Sequence, residues 1–275
     1  MRALIVSNCA TSAYTETLRQ LHPQWDVRGV NINLAQQWFE SSEKPEFIAF
    51  HDNADFLISI APEIRRTDAK VIKIPGFFFR GLHPDSFHLS GTPSVLDPGG
   101  NLQSRISAVA YLLGKSEEET ASYFNEAVFK RAGYLDVYQS EKMRTIKVFA
   151  DNDIRVDDLF EKWERSGNFL HQYNHPKVHV LVDVFLRAIN EAIPHSHPGL
   201  TVRDELADST IWPVYPGIGR NLGIEGNLEW RRSVSFNFER LSVSEFVSRS
   251  FAQFRTGPRF EKTSVPGFEI VADNL

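Results

Sequence analysis

Short apolar runs alternate with amphipathic stretches through the first hundred residues of the chain. Residues 2–7 form an apolar run typical of a strand, and the spacing of apolar residues in 11–21, closed by Pro23, predicts a helix. The same patterns predict further strands at 25–32, 47–50, 56–60 and 71–79, and a helix at 35–39. Strands that alternate with helices are typical of a parallel sheet covered by helices. We therefore predict an α/β fold with an N-terminal parallel sheet flanked by helices.

The middle of the chain has helical periodicity. Apolar positions recur with a spacing close to one helical turn in 103–114, 117–132, 134–149, 157–165 and 176–193. Ser116, followed by three glutamates, is typical of a helix start. Pro176 suits a first helical turn because its missing N–H would have had no partner there. These patterns predict a helical section that packs on the sheet.

The C-terminal part is rich in proline, glycine and aromatic residues from about residue 194, which is typical of ordered loops. The glycine-rich segment 217–223 lacks the spacing of a dinucleotide fingerprint and is predicted to be a flexible loop. Ser242 and Glu245 have the spacing of a capping box, which predicts a last helix over 243–254. We predict a sheet core in 1–100, a helical section in 101–193 and a loop-rich cap in 194–275, together forming one integrated domain.

Composition and charge exclude several classes of protein. Hydrophobic residues make up 42% and charged residues 24%, as in ordinary globular proteins, and the net charge of −5 gives no reason to expect a nucleic-acid partner. No stretch approaches the ~20 apolar residues of a membrane span, and the N-terminal apolar run is too short for a signal peptide. We expect a soluble, cytoplasmic protein, and the sequence leaves open whether it forms homo-oligomers.

The single cysteine, Cys9, follows the first predicted strand, at the carboxyl edge where open α/β sheets bind ligands. A thiol at that edge acts as a nucleophile if a base accepts its proton or lowers its pKa. Most free cysteines are instead small buried hydrophobic residues. Both interpretations stay open from the residue and its position.

Several histidines follow apolar runs or precede a helix, where side chains converge on a sheet edge. His83 stands in the segment Gly-Leu-His-Pro-Asp that ends at Asp85, and His175 lies between Asn174 and Pro176. Histidine exchanges protons near neutral pH, so each is a candidate base, although a single histidine in such a position is more often a surface or capping residue. The chain lacks HExxH and a second cysteine, so we expect no metal site.

Four short motifs occur in one order along the chain: Asn8-Cys9 after the first strand, the run Asp55–Ser59, Gly81-x-His-Pro-Asp85, and Asn174-His-Pro176. In this order they resemble the WcbI-type capsular-polysaccharide biosynthesis proteins, a family regarded as acetyltransferases that bind coenzyme A. The family usually has Gly-Asn-Cys-Gln, whereas this chain has Ser7-Asn8-Cys9-Ala10.

The resemblance implies a coenzyme A-dependent O-acetyltransferase that uses acetyl-coenzyme A as donor and a sugar or polysaccharide precursor as acceptor. Cys9 would be the nucleophile and His175 or His83 its base, with Asp85 orienting an imidazole as in a triad. The first helix would stabilise a thiolate or oxyanion through its N-terminus. The residues expected to bind coenzyme A are Ser7, Asn8, Thr11, Arg80 and Asn174.

Two other functions fit the same residues. A hydrolase or esterase on a similar scaffold would use Cys9 with water as acceptor, because the turn resembles the Gly-Asp-Ser turn of hydrolases with cysteine in place of serine. A non-catalytic protein that binds carbohydrate or nucleotide would only pack Cys9. A basic pocket for nucleotide phosphates would favour the transferase over the hydrolase.

Overall fold

The structure, a computed structural model, describes residues 1–35, 37–38, 45–52, 69–190, 193 and 199–275, and omits the side chains of 47 and 50–52. The helices within that part of the chain are α1 Thr11–Leu21, α2 Arg105–Leu112, α3 Glu117–Ser122, α4 Glu126–Arg131, α5 Val137–Ala150, α6 Asp157–Arg165, α7 Val178–Ile189, α8 Pro216–Leu222, α9 Val243–Thr256 and α10 Phe268–Ala272. The strands are β1 Arg2–Ser7, β2 Asp26–Asn31, β3 Phe47–Asp52, β4 Lys70–Pro75, β5 Ser86–His88, β6 Leu102–Ser104, β7 Leu170–Gln172, β8 His175–Pro176, β9 Trp230–Arg231 and β10 Arg240–Leu241.

The chain divides into two compact units, each assembled from three segments. Unit 1 comprises Met1–Phe78, Arg144–Arg165 and His175–Leu206. Unit 2 comprises Phe79–Met143, Ser166–Asn174 and Ala207–Leu275. Each unit is therefore formed by segments that are far apart in the sequence.

A four-stranded parallel sheet in the order β2-β1-β3-β4 forms the centre of unit 1. Apolar residues of the central strands, Leu4, Val6 and Ile48, form a fully buried cluster. The aromatic ring of Tyr14 on α1 stacks on that of Phe185 on α7 with centroids 4.9 Å apart, which joins these two helices. The predicted α/β fold class with a parallel sheet is confirmed.

Helices α6 and α7 of unit 1 are tied by a buried polar contact. The Trp163 indole N–H donates to Asp183 at 2.9 Å, and Lys162 pairs with the other oxygen of that carboxylate at 2.7 Å. The Asp183 side chain is 13% exposed, so both donors compensate for its burial. This contact fixes the register of the two helices.

Unit 2 contains the antiparallel strand pairs β5–β6 and β9–β10, together with an aromatic core. Trp230 of β9 stacks on Phe246 of α9 with centroids 4.2 Å apart and nearly parallel rings, while Trp212 meets both edge-on. Helix α9 also packs on α2 and α3. The rings bury a large apolar area and hold the C-terminal segment as ordered structure.

Local signals in the sequence located several elements. The observed bounds of α1 and α6 agree with the predicted helices 11–21 and 157–165. Both predicted helix starts are capping boxes, one formed by Ser116 with Glu119 and one by Ser242 with Glu245. In each, a serine hydroxyl and a glutamate carboxylate accept from otherwise unpaired backbone N–H groups.

Three of the wrong element predictions concern where an element begins or ends. The predicted helix 117–132 is interrupted because the Asn125 side chain accepts from Val128 N–H and starts α4 as a new N-cap. The predicted strand 71–79 ends at Pro75. The predicted first turn at Pro176 is absent, since Pro176 lies in β8 and Lys177 is the N-cap of α7.

The segment 217–223, predicted to be a loop, forms most of α8. Pro216 occupies the first turn, where it suits a helix, and Gly223 ends the helix in the left-handed conformation at φ 68°. Gly219 permits close packing, because a Cβ there would lie 2.8 Å from the Ile224 carbonyl oxygen. The glycines thus serve helix packing and termination.

Two other expectations fall outside what the structure describes. The predicted strand 56–60, with the motif Asp55–Ser59, lies wholly outside the described residues, and the predicted helix 35–39 lies partly outside them. Within the described part of the chain, no helix is both long and apolar enough to cross a bilayer.

Candidate functional site

The first strand ends at the topological switch point of the sheet. Strand β2 lies on one side of β1 and β3 on the other, so the chain reverses its direction of winding at β1. Ligands of open α/β sheets bind beyond the carboxyl ends of the strands at such a point. Asn8 and Cys9 directly follow β1 and are exposed there.

Hydrogen bonds hold the turn between β1 and α1. The Asn8 carbonyl oxygen accepts from the Thr11 backbone N–H at 3.2 Å and from the Thr11 hydroxyl at 2.7 Å. The Cys9 thiol donates to Asn8 Oδ1 at 3.3 Å. The Asn8 side-chain oxygen therefore accepts from Cys9, and the amide NH₂ of Asn8 remains available to donate hydrogen bonds.

Cys9 is a thiol at neutral pH. The residue is exposed at the turn, but the protein around the sulfur raises the pKa of the thiol to about 11 by desolvation, and a backbone hydrogen bond only partly offsets this. Desolvation thus outweighs the stabilisation of a thiolate that was expected from the N-terminus of α1. The Thr11 N–H at that end of the helix is also engaged, because it donates to the Asn8 carbonyl oxygen. A reaction at Cys9 needs a base.

A pocket of about 440 Å³ opens beside Cys9. Its lining comes from the turn, one face of α1, the end of β2 and one residue near the end of unit 1: Asn8, Cys9, Thr11, Ser12, Thr15, Glu16, Arg19, Gly29, Asn31 and Glu205. The volume is within the range of small-molecule sites. The predicted residues Asn8, Cys9 and Thr11 are therefore brought together at one pocket, whereas Ser7 is 1% exposed and is not part of the lining.

The wall of this pocket requires a glycine in β2. A Cβ at position 29 would lie 2.3 Å from Thr15 Oγ1 and 3.0 Å from Thr11 Cγ2. Since van der Waals contacts do not occur at 2.3 Å, α1 approaches β2 as closely as it does only because residue 29 has no side chain.

Replacing Gly29 by alanine is expected to lower the free energy of unfolding by about 1–3 kcal/mol, as overpacking does, although alanine is otherwise the better strand residue. Urea denaturation measures the loss. Adding Thr15→Ala removes the closest atom and should recover part of the stability. A Gly29→Ala variant as stable as the original chain would contradict the close approach of α1 to β2.

Asp85 in unit 2 belongs to a buried network that engages both of its carboxylate oxygens. The residue is 0% exposed, and its Oδ1 accepts from Tyr134 at 2.9 Å and from the Ile106 backbone N–H at 3.0 Å. Its Oδ2 accepts from Tyr215 at 2.7 Å. Burial and the Asp85 charge raise the pKa of both tyrosines well above the usual value, so both hydroxyls remain donors.

His83 is buried near this network without bonding to it. The residue is 1% exposed, and neither ring nitrogen makes a hydrogen bond of normal geometry within the described part of the chain. Burial lowers the pKa of His83 to about 3; the Trp212 backbone acts against this and the charge of His171 adds to it. The Asp85–His83 pair expected for a triad is therefore not formed, and His83 is a neutral, weakly basic imidazole.

The other predicted site residues lie at separate places. In unit 2, the Arg80 guanidinium lies 4.6 Å from the centroid of the Tyr173 ring, a cation–π contact. Asn174, also in unit 2, has a buried side-chain oxygen without a hydrogen bond to any described residue. His175 belongs to unit 1, where it opens β8 and is half-buried.

The sequence analysis missed seven residues of the pocket: Ser12, Thr15, Glu16, Arg19, Gly29, Asn31 and Glu205. A signal existed for the four on α1, because Thr11, Thr15 and Arg19 recur every four residues, as do Ser12 and Glu16, and so lie on one face of a helix. No local signal connects Glu205 with a turn almost two hundred residues earlier. Within the described residues, no three His, Cys, Asp or Glu side chains are grouped so as to hold a metal ion.

Comparisons with known proteins identify the family and support the fold. The family model described as "Polysaccharide biosynthesis enzyme WcbI" matches residues 2–193. A solved structure of WcbI, described as a novel polysaccharide biosynthesis enzyme and as native protein without a disulfide bond between coenzyme A and a cysteine, superposes with a TM-score of 0.67. That match has 15% sequence identity and covers 99% of this chain and 95% of the other, so it supports the fold. No curated protein sequence matches.

Proposed function

The chain belongs to the WcbI family of polysaccharide biosynthesis enzymes, and we propose that it is a coenzyme A-dependent O-acetyltransferase acting on a sugar of a surface or capsular polysaccharide. The observation that carries the proposal is the position of Cys9, at the switch point of the parallel sheet and on the wall of a pocket of ligand size. The coenzyme A described for a structural relative supports the choice of donor. Because acetyl-coenzyme A is made and used inside cells, we place the reaction in the cytoplasm.

The proposed transfer consists of two steps, acetylation of Cys9 and transfer of the acetyl group to the sugar. The Cys9 sulfur attacks the thioester carbonyl carbon, its proton passes to a base, and the carbon–sulfur bond to coenzyme A breaks as the departing sulfur takes that proton. The sugar hydroxyl then attacks the Cys9 thioester, which forms the ester bond, while the proton of the hydroxyl returns to the Cys9 sulfur through the same base. Each step needs a donor for the oxyanion, and the Asn8 amide NH₂ next to Cys9 is the proposed one.

His175 is the proposed base. An imidazole whose conjugate acid has a pKa of about 3, as in His83, is far too weak to accept the proton of a thiol with a pKa of about 11. The His83 ring is also buried, whereas His175 is half-buried and belongs to the same unit as Cys9. Asp85, with both oxygens engaged, is proposed to act structurally.

Asn8 and Thr11 are the proposed contacts for the thioester end of the donor, because both line the pocket. Ser7, buried at the end of β1, is proposed to support the turn. Arg80 and Asn174 stay predictions for binding the rest of coenzyme A.

Calorimetric titration with coenzyme A is expected to give saturable binding with a Kd on the order of micromolar. A phosphine reductant is kept present so that no disulfide with Cys9 contributes. The matched variant Cys9→Ser should bind nearly as tightly, because binding precedes the covalent step. Absence of heat at millimolar coenzyme A would remove the donor assignment and leave the hydrolase.

A further inference from the structure

The pocket beside Cys9 continues as a groove between α1 and β2. Thr11, Thr15 and Arg19 recur every four residues along one face of α1, and Gly29 and Asn31 form the opposite wall. Eight residues of helix span about 12 Å, so the groove leads from the reacting sulfur to a region well away from it. A molecule bound there can present one group to Cys9 while its remaining part lies along α1.

The charges along this groove disfavour an anion. Two carboxylates, Glu16 and Glu205, line it against a single guanidinium, that of Arg19. Two of the Arg19 nitrogens, Nε and Nη2, already donate to the Val27 carbonyl at 3.2 and 2.9 Å. A phosphate or a sugar carboxylate in the groove would face both glutamates with one partly engaged cation to compensate.

The polar groups of the groove suit hydroxyls. Carboxylate oxygens accept hydrogen bonds, and although Gln20 donates to one oxygen of Glu16 at 2.8 Å, the other oxygen and the carboxylate of Glu205 remain for a ligand. The Asn31 side chain, whose oxygen accepts from Asn33 N–H at 3.0 Å, keeps its NH₂ as a donor. The Thr15 hydroxyl, on a residue that is 5% exposed, has no hydrogen-bond partner among the described residues. A polyhydroxylated ligand offers both donors and acceptors to such a wall.

We infer that the groove between α1 and β2 binds the acceptor, and that the acceptor residue it holds is a sugar without negative charge, neutral or amino-substituted. The inference rests on the proposed function and adds its substrate class. It also assigns the phosphates of coenzyme A to a place outside this groove. Glu16 and Glu205 are then the residues that select against uronic acids and phosphorylated sugars.

The test compares three probes that differ in charge: methyl β-glucoside, methyl β-glucosaminide and methyl β-glucuronide. Their dissociation constants for the full chain are measured by saturation-transfer NMR. We expect the first two to bind and the glucuronide to bind about tenfold more weakly. The double variant Glu16→Gln with Glu205→Gln should shrink that difference to about twofold, and Glu118→Gln, an exposed glutamate outside the groove, should leave it unchanged.

The outcomes separate this inference from the proposed function. Glucuronide binding as tight as glucoside binding would overturn the inference. Absence of binding by any probe at a concentration of about 100 mM would overturn it too, because a specific sugar site would be detectably occupied there. Competition between coenzyme A and glucoside that the double variant abolishes would also overturn it, because the groove would then hold the donor. Selective glucoside binding without coenzyme A binding would support the groove and remove only the donor assignment.

Discussion

Replacing Asp85 by alanine is expected to lower the free energy of unfolding by about 3–5 kcal/mol, the usual cost of removing one partner from a buried charged network. The carboxylate is fully buried, and its loss leaves the hydroxyls of Tyr134 and Tyr215 and the N–H of Ile106 without their acceptor. Each buried donor left unpaired costs about 1–3 kcal/mol. Urea denaturation followed by circular dichroism measures the change.

A matched control for this prediction is Asp97→Ala. The Asp97 carboxylate also accepts a backbone N–H, from Gly99 at 3.1 Å, but it is exposed. Its replacement should cost no more than about 1 kcal/mol, since water can satisfy the freed group. Tyr215→Phe, which removes one donor and leaves the other two, should fall between. Equal losses for Asp85→Ala and Asp97→Ala would contradict a structural role for the buried carboxylate.

Alkylation of Cys9 by iodoacetamide is expected to accelerate about tenfold per pH unit from pH 7 to pH 10, a total of about a thousandfold, because only the thiolate reacts. The sign follows from burial, which disfavours the charged form and raises the pKa of Cys9 to about 11. Below that value the thiolate fraction rises in proportion to hydroxide. Since Cys9 is the only cysteine, the mass of the intact protein reports its modification directly.

The control for this measurement is a free thiol such as N-acetylcysteine, whose alkylation should level off above a pKa of about 8.5. Alkylation of Cys9 that levels off near pH 7 would show a stable thiolate and remove the need for His175 as a base. In the proposed mechanism His175→Ala should leave the alkylation profile of the free protein nearly unchanged while lowering acetyl transfer about a hundredfold or more.

Features set by neighbouring residues could be predicted from the sequence. Helix α1 and the capping box at Ser242 depend on apolar spacing and on a cap three residues away, which the sequence displays directly. The position of Cys9 at a sheet edge follows from the same local patterns. The interruption at Asn125 was missed because the helical periodicity continues across it while the side chain starts a new helix.

Features set by distant residues could not be predicted. Asp85 is bonded to tyrosines 49 and 130 residues away, so its engagement by them, in place of a histidine, is decided by packing alone. The low pKa of His83 likewise results from burial, which the local sequence Gly-Leu-His-Pro does not indicate. Glu205 reaches the groove beside α1 from the other end of unit 1.

The division of unit 1 into three chain segments has a consequence for biosynthesis. The strands of the sheet are made first, but the unit is complete only at Leu206, in a chain of 275 residues. Between Pro75, the end of β4, and Leu206 the ribosome adds 131 residues, which takes about 7–26 s at ~5–20 residues per second. During this time the strands lack α7, including the ring of Phe185 that stacks on Tyr14. The nascent chain therefore exposes apolar strand residues to chaperones before the protein can close its own core.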